Sequence, residues 1–228
     1  MRDIKILPSL LAADMGRLEE ACRQAEAASA DGLHIDIMDG HFVPNLSMGP
    51  DVVRLARRTT KLPLSVHLMV SRPDWLADAF LQAGADTLLI HVEARCDPAP
   101  VLQEIRRQGV RAGLTLNPET PAAAVLPYRE LLDEVLCMTV HPGFGGQVFL
   151  DEVLPKIRAL RETLPGMVLS VDGGLNDETA ARAAEAGADV FLVGSWLFTP
   201  EGDMSARLQK MRTCLQVALA RGRSEREG

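Results

Sequence analysis

His34 and Asp36 stand two residues apart in the apolar run LHIDIM, so both side chains leave the same face of one extended strand. Turning an imidazole and a carboxylate together into a buried face is costly unless something receives them. Two further apolar runs add to the set: LSVHLM carries His67 and LSVDGG carries Asp172. A lone strand histidine is ordinarily a hydrogen-bonded core residue. Two imidazoles and two carboxylates on three strand ends instead form the donor set of one borderline divalent ion, Zn, Fe, Mn or Co.

A second signal is the stretch HPGFGGQ at 141–147, with Gly143, Phe144, Gly145 and Gly146 at its centre. Alone, a glycine-rich turn is more often a tight loop than a ligand cradle. Here it precedes Gly173–Gly174 after one apolar run and Gly194–Ser195 after the next, so a series of missing side chains opens backbone N–H groups to an anion. Third, Met38 and Met69 lie two residues beyond Asp36 and His67, and Met138 lies on the run before HPGFGGQ. Methionine usually just fills a core. Shared parity with the proposed ligands makes these three the expected wall of one water-poor cavity.

Positioning these groups requires a repeated scaffold. ASADGLHIDIM (28–38), QAGADTLLIHV (82–92) and EAGADVFLVGS (185–195) each join a small-residue helix end directly to an apolar strand. The apolar runs do not alternate, as expected of parallel strands covered on both faces. Strands are expected near 4–10, 33–38, 64–70, 87–92, 111–116, 134–140, 168–172 and 190–195. Helical periodicity fills the gaps, with Asp14 and Asn176 as expected helix caps and Gly84 and Gly187 as expected helix stops. Eight alternating units predict an α/β fold, a closed (β/α)8 TIM barrel occupying residues 1–220, whose site lies at the C-terminal strand ends. An open doubly wound sheet is disfavoured because LPSLLAADMG, after the first strand, contains no G-x-G-x-x-G turn. The last helix is expected near 203–220, and the polar residues 221–228 are expected to form a disordered tail.

The 228 residues carry a net charge of −7 with 47% apolar content, which argues against nucleic acid and for a small-molecule partner. Cys22, Cys96, Cys137 and Cys214 form no C-x-x-C pair and are expected to be reduced thiols of a cytoplasmic protein. The N-terminal apolar run is short and broken by Pro8, so neither a signal peptide nor a membrane span is expected.

In order along the chain, PSLLAAD (8–14), HIDIMDGHFVPN (34–45), VHLMV (66–70), LNPETP (116–121), MTVHPGFGGQ (138–147), VDGG (171–174) and VGS (193–195) resemble the ribulose-phosphate 3-epimerase family. The resemblance implies one divalent metal held by His34, Asp36, His67 and Asp172, and interconversion of D-ribulose 5-phosphate with D-xylulose 5-phosphate. Asp36 and Asp172 would serve as acid and base through an enediolate. It further implies substrate contacts from Ser9, His67, Gly143, Phe144, Gly145, Gly146, Asp172, Gly173, Gly174, Gly194 and Ser195, and a homo-oligomer. Two departures stand out. His141 occupies a place where an acidic residue or Asn is expected, and Trp196 and Phe198 follow Gly194–Ser195 where a smaller residue is usual, which suggests a reshaped phosphate end. MDGHFVPNLSMGP, VSRP and NPETP also resemble allulose-6-phosphate 3-epimerases, so a six-carbon substrate is the alternative. A phosphosugar decarboxylase or aldolase on the same barrel is disfavoured, because the related decarboxylases place a lysine where Met38 stands. A binding protein without turnover would be expected to have lost a carboxylate, and both are present.

Overall fold

The computed structural model describes residues 3–199 and 203–227, with side chains through residue 220. Eight strands run in chain order: β1 (Lys5–Pro8), β2 (Leu33–Met38), β3 (Leu64–Met69), β4 (Thr87–His91), β5 (Arg111–Leu116), β6 (Glu134–Met138), β7 (Val168–Asp172) and β8 (Val190–Val193). All are parallel, in the order β1-β8-β7-β6-β5-β4-β3-β2. The remaining seam, between β1 and β2, is held at its upper end by a parallel bridge from Ser9 to His34. The fold is thus the (β/α)8 barrel that the repeated junctions predict.

Outside the strands lie α1 (Leu18–Ala27), α2 (Pro50–Thr59), α3 (Pro73–Ala83), α4 (Pro98–Arg107), α5 (Leu154–Thr163), α6 (Asp177–Ala186) and α7 (Met204–Glu227). Between β5 and β6 the chain forms a 3₁₀ helix, Ala122–Leu131, instead of an α-helix. Pro127 inside it lacks an N–H and would clash with the preceding turn of an α-helix. Asn176 caps α6 through a reciprocal box with Thr179. Asp14 caps a 3₁₀ turn, Met15–Arg17, that leads into α1. Gly84 ends α3 in the left-handed region, at φ 103°, which a side chain rarely adopts. The backbone of α7 stays helical to Glu227, beyond the end expected at residue 220, in a segment whose Arg and Glu residues favour helix. Gly228 lies outside the described residues. Among those residues no helix is long and apolar enough to cross a membrane.

The parity of each strand divides the core in two. Odd positions of β2, Leu33, Ile35 and Ile37, face the helices in the large apolar cluster, while His34, Asp36 and Met38 face the barrel axis. An inner layer of Leu7, Leu89, Leu136, Val190 and Leu192 fills the axis. The strand ends above it are left for chemistry.

The repeated junction has a physical purpose. Asp31, Asp86, Asp133 and Asp189 each precede an even-numbered strand, and each donates its backbone N–H to the strand before: to Ile6, Leu64, Ala112 and Leu169 carbonyls respectively. The same four residues donate N–H groups back to the aspartate carboxylates at 2.8, 2.8, 2.9 and 3.0 Å. An arginine completes each clasp: Arg57 on Asp86, Arg106 on Asp133 and Arg161 on Asp189, each from the helix leading into the odd-numbered strand, and Arg212 on Asp31 from α7, the last helix. The barrel floor is therefore a fourfold set of Asp–Arg clasps that fix strand register.

The clasps differ in exposure: the Asp189 side chain is 9% exposed and that of Asp86 48%. Asp189→Ala, which strands the buried Leu169 N–H and takes the counter-charge from the Arg161 guanidinium, is expected to cost about 2–4 kcal/mol in urea unfolding. Asp86→Ala should cost about 1 kcal/mol. Equal losses would show that burial does not set the strength of these clasps.

Candidate active site

His34, Asp36, His67 and Asp172 each offer one ligand atom, and these atoms lie within 4.8 Å of one another. The Asp36 carboxylate is the hub. Its Oδ2 accepts from Ser9 Oγ at 2.7 Å, and its Oδ1 lies 3.1 Å from His34 Nε2 and 3.0 Å from His67 Nδ1. Backbone clamps hold both acids in place. Ser47 Oγ donates to the Asp36 carbonyl and accepts from Met38 N–H. The Thr139 N–H and hydroxyl both donate to the Asp172 carbonyl.

Behind the four residues stands a supporting layer that the sequence reading did not single out. His34 Nδ1 lies 3.2 Å from Ser65 Oγ. His67 Nε2 lies 2.9 Å from His91 Nε2, and His91 Nδ1 lies 3.0 Å from Glu93 Oε2. The Asn117 N–H and the Thr120 hydroxyl in turn donate to Glu93 Oε1. His91 is fully buried beneath the Phe42 ring, with centroids 4.5 Å apart. The available signal was parity: His91 follows Leu89 at the inward position of β4, as His67 does on β3.

Above the cluster opens a cleft of about 580 Å³, counting the space at its mouth that is open to solvent. Ser9, Asp36, Met38, Met69, Met138, Gly143, Phe144, Gly145, Gly146, Asp172, Gly173, Gly174, Gly194 and Ser195 all line it, as do Val140, Pro142 and Gln147 from the same loop as Phe144. His34 and His67 do not; both are fully buried behind Asp36, so His67 reaches the cavity only through its neighbours. Among the described residues no lysine or arginine lines the cavity. Gly173 and Gly174 sit at φ 117° and 64°, and a Cβ there would meet the Val140 side chain and the Phe149 backbone respectively. The two departures lie elsewhere. Trp196 packs half-buried against the apolar core beside Arg207, and exposed His141 lies 3.0 Å from Glu119 Oε1. Neither side chain lines the cavity, although Gly194 and Ser195, just before Trp196, do.

Burial raises the proton affinity of any carboxylate, but His34 and His67 outweigh it at Asp36 and hold that acid well below the usual carboxylate range. At Asp172 burial is reinforced by the Asp36 charge, against His34, and the carboxyl is pushed up to about 7. Burial, with the neighbouring imidazoles, holds His67 down at about 4 against the pull of Asp36. Burial would likewise hold Glu93 up, yet its hydrogen bonds to His91, Thr120 and Asn117 bring it down to about 2. Two acids in one cavity thus have opposite proton affinities, the pattern of an acid and base pair. Two imidazole nitrogens and two carboxylate oxygens, crowded with no basic side chain among them, fit a divalent cation.

The profile of the ribulose-phosphate 3 epimerase family matches residues 5–198. The chain belongs to that family. It is 46% identical over 200 residues to a ribulose-phosphate 3-epimerase of Bacillus subtilis, covering 86% of this chain and 92% of the relative. With that of Rhodobacter capsulatus it shares 43% identity over 96% of this chain and 98% of the relative. The chain is accordingly an enzyme of the epimerase class. The fold is shared more widely. A 3-hexulose-6-phosphate synthase superimposes with a TM-score of 0.70 at 17% identity, covering 92% of this chain and 99% of that one. A thiamine phosphate pyrophosphorylase of Pyrococcus furiosus gives 0.65 at 18%, covering 95% and 97%.

Asp172 titrates higher in the fold than the unfolded value of about 3.9. Between those values the folded metal-free protein binds the extra proton, so the Asp172 contribution to stability falls as pH rises from about 4 to about 7. Thermal unfolding of metal-free Asp172→Asn should therefore gain on wild type across that interval. A constant difference between the two would contradict the raised affinity.

Proposed function

We propose that the chain inverts C3 of a small phosphorylated ketose, interconverting D-ribulose 5-phosphate and D-xylulose 5-phosphate. The observation that carries this reading is the pair of carboxylates facing one cavity, buried Asp36 from β2 and half-buried Asp172 from β7, with opposite proton affinities. Inversion beside a ketone takes a proton from one face of the carbon and returns one to the other. One carboxylate receives the proton and the second supplies its replacement, and the roles exchange in the reverse direction. The Ser9 hydroxyl, donating to Oδ2, holds Asp36 in place for that transfer.

His34, Asp36, His67 and Asp172 would hold the metal, and the donor set suits Zn, Fe, Mn or Co. A divalent ion bound there would supply positive charge against the negative charge that develops on the substrate oxygens. Met38, Met69 and Met138 keep that end of the cavity poor in water, which strengthens electrostatic effects within it. The backbone N–H groups around Gly173, Gly174, Gly194 and Ser195 receive the phosphate, which explains how a cavity with no basic side chain among the described residues takes an anionic substrate. The names carried by the bacterial relatives support the five-carbon substrate over allulose 6-phosphate.

Turnover of ribulose 5-phosphate should exceed that of allulose 6-phosphate in kcat/KM. The reverse order would transfer the chain to the six-carbon substrate while leaving the chemistry intact. Asp36→Asn and Asp172→Asn should each lower kcat by about 10²- to 10⁴-fold in a folded protein. In deuterated water the product should acquire deuterium at C3. Retention of the original hydrogen there through many turnovers would exclude proton transfer by two exchanging acids.

A further inference from the structure

The structure assigns His91 and Glu93 a role as positioning residues: they dictate which nitrogen of His67 faces the metal cluster and strengthen it as a donor. This deepens the reading of His34, Asp36, His67 and Asp172 as a metal site and rests on it. Two ring nitrogens, His67 Nε2 and His91 Nε2, face each other at 2.9 Å, so one must donate and the other accept. The choice is made further out. Glu93 Oε2 faces His91 Nδ1 at 3.0 Å, and a carboxylate only accepts, so His91 donates Nδ1–H to Glu93. In the neutral ring Nε2 of His91 is then the acceptor, and His67 donates Nε2–H to it.

That leaves His67 Nδ1 as a lone pair, 3.0 Å from Asp36 Oδ1. Two lone pairs at that distance repel unless a cation lies with them. The chain of hydrogen bonds therefore prepares His67 for metal and disfavours its use as a donor to Asp36. Glu93 is itself fixed, because the Asn117 N–H and Thr120 hydroxyl occupy its other oxygen. His34 has a different backing: its Nδ1 meets only the Ser65 hydroxyl, which can donate or accept. His67 is thus the histidine whose ring state is imposed by a carboxylate, in the manner of the carboxylate–histidine–metal arrangements that raise ligand basicity.

The test is Zn²⁺ affinity of the full chain, measured by competition with a chromogenic chelator, together with the visible spectrum of the Co²⁺-loaded protein. His91→Phe keeps a ring in the space but removes the acceptor, and Glu93→Gln keeps an acceptor for His91 but removes the charge. His91→Phe should bind Zn²⁺ about 10- to 100-fold more weakly and alter the Co²⁺ bands. Glu93→Gln should fall between it and wild type. Glu93→Ala, which leaves the ligand layer and its packing in place, should match the His91→Phe loss and serves if that variant does not fold. Affinities and Co²⁺ bands equal to wild type in folded variants would overturn the positioning role while leaving the metal site standing. Failure of the wild type itself to take up either ion would overturn both.

Discussion

One carboxylate oxygen organises the upper end of this barrel. Asp36 Oδ1 sits about 3 Å from nitrogens of both His34 and His67, with both rings and the acid removed from water. Buried charge of this kind persists only when it is compensated. Compensation here runs in two directions: outward to Ser9, Ser65, His91 and Glu93, and inward to the shared space of the four ligand atoms. The low proton affinity of Asp36 follows from that arrangement, and the high affinity of Asp172 follows first from its removal from water and then from the charge fixed on Asp36.

The rest of the fold makes this geometry reproducible. Four Asp–Arg clasps at the opposite end set the register of successive strand pairs, and register decides which residues face the axis. A slip of one residue on β2 would send His34 and Asp36 to the helices and bring Ile35 inward. Stability and chemistry are thus divided between the two ends of the barrel, as the architecture generally allows. The closing seam joins both tasks: Asp31 clasps Ile6 at its base, and Ser9 meets His34 and Asp36 at its top.

Much of this was legible from the chain alone. Strand parity placed His34, Asp36 and Met38 on one face, and β2, β5 and β7 begin and end where periodicity puts them. β1 and β8 are shorter than expected because Ser9 and Gly194 already belong to the turns that line the cavity. The three repeated junctions were visible as composition, but a fourth, Leu132–Asp133–Glu134, lacks the alanine that precedes the aspartate in the others and was hidden. What repeats is an aspartate with a distant arginine, and such pairing over 20 or more residues has no local signature. His91 and Glu93 were missed for the same reason, since their meaning depends on which ring they meet across β3 and β4. Trp196 shows the converse: an unusual residue beside a glycine-rich turn can simply be packing.

The central claim is that a cation belongs between Asp36 and its neighbours. Its most direct measurement is metal content alongside activity: elemental analysis of the purified chain, then epimerisation assayed after exhaustive chelation and after return of a single divalent ion. One divalent ion per chain, loss of turnover with its removal and recovery on its return are the expected results. A chelated, metal-free chain that epimerises at the full rate would contradict the account.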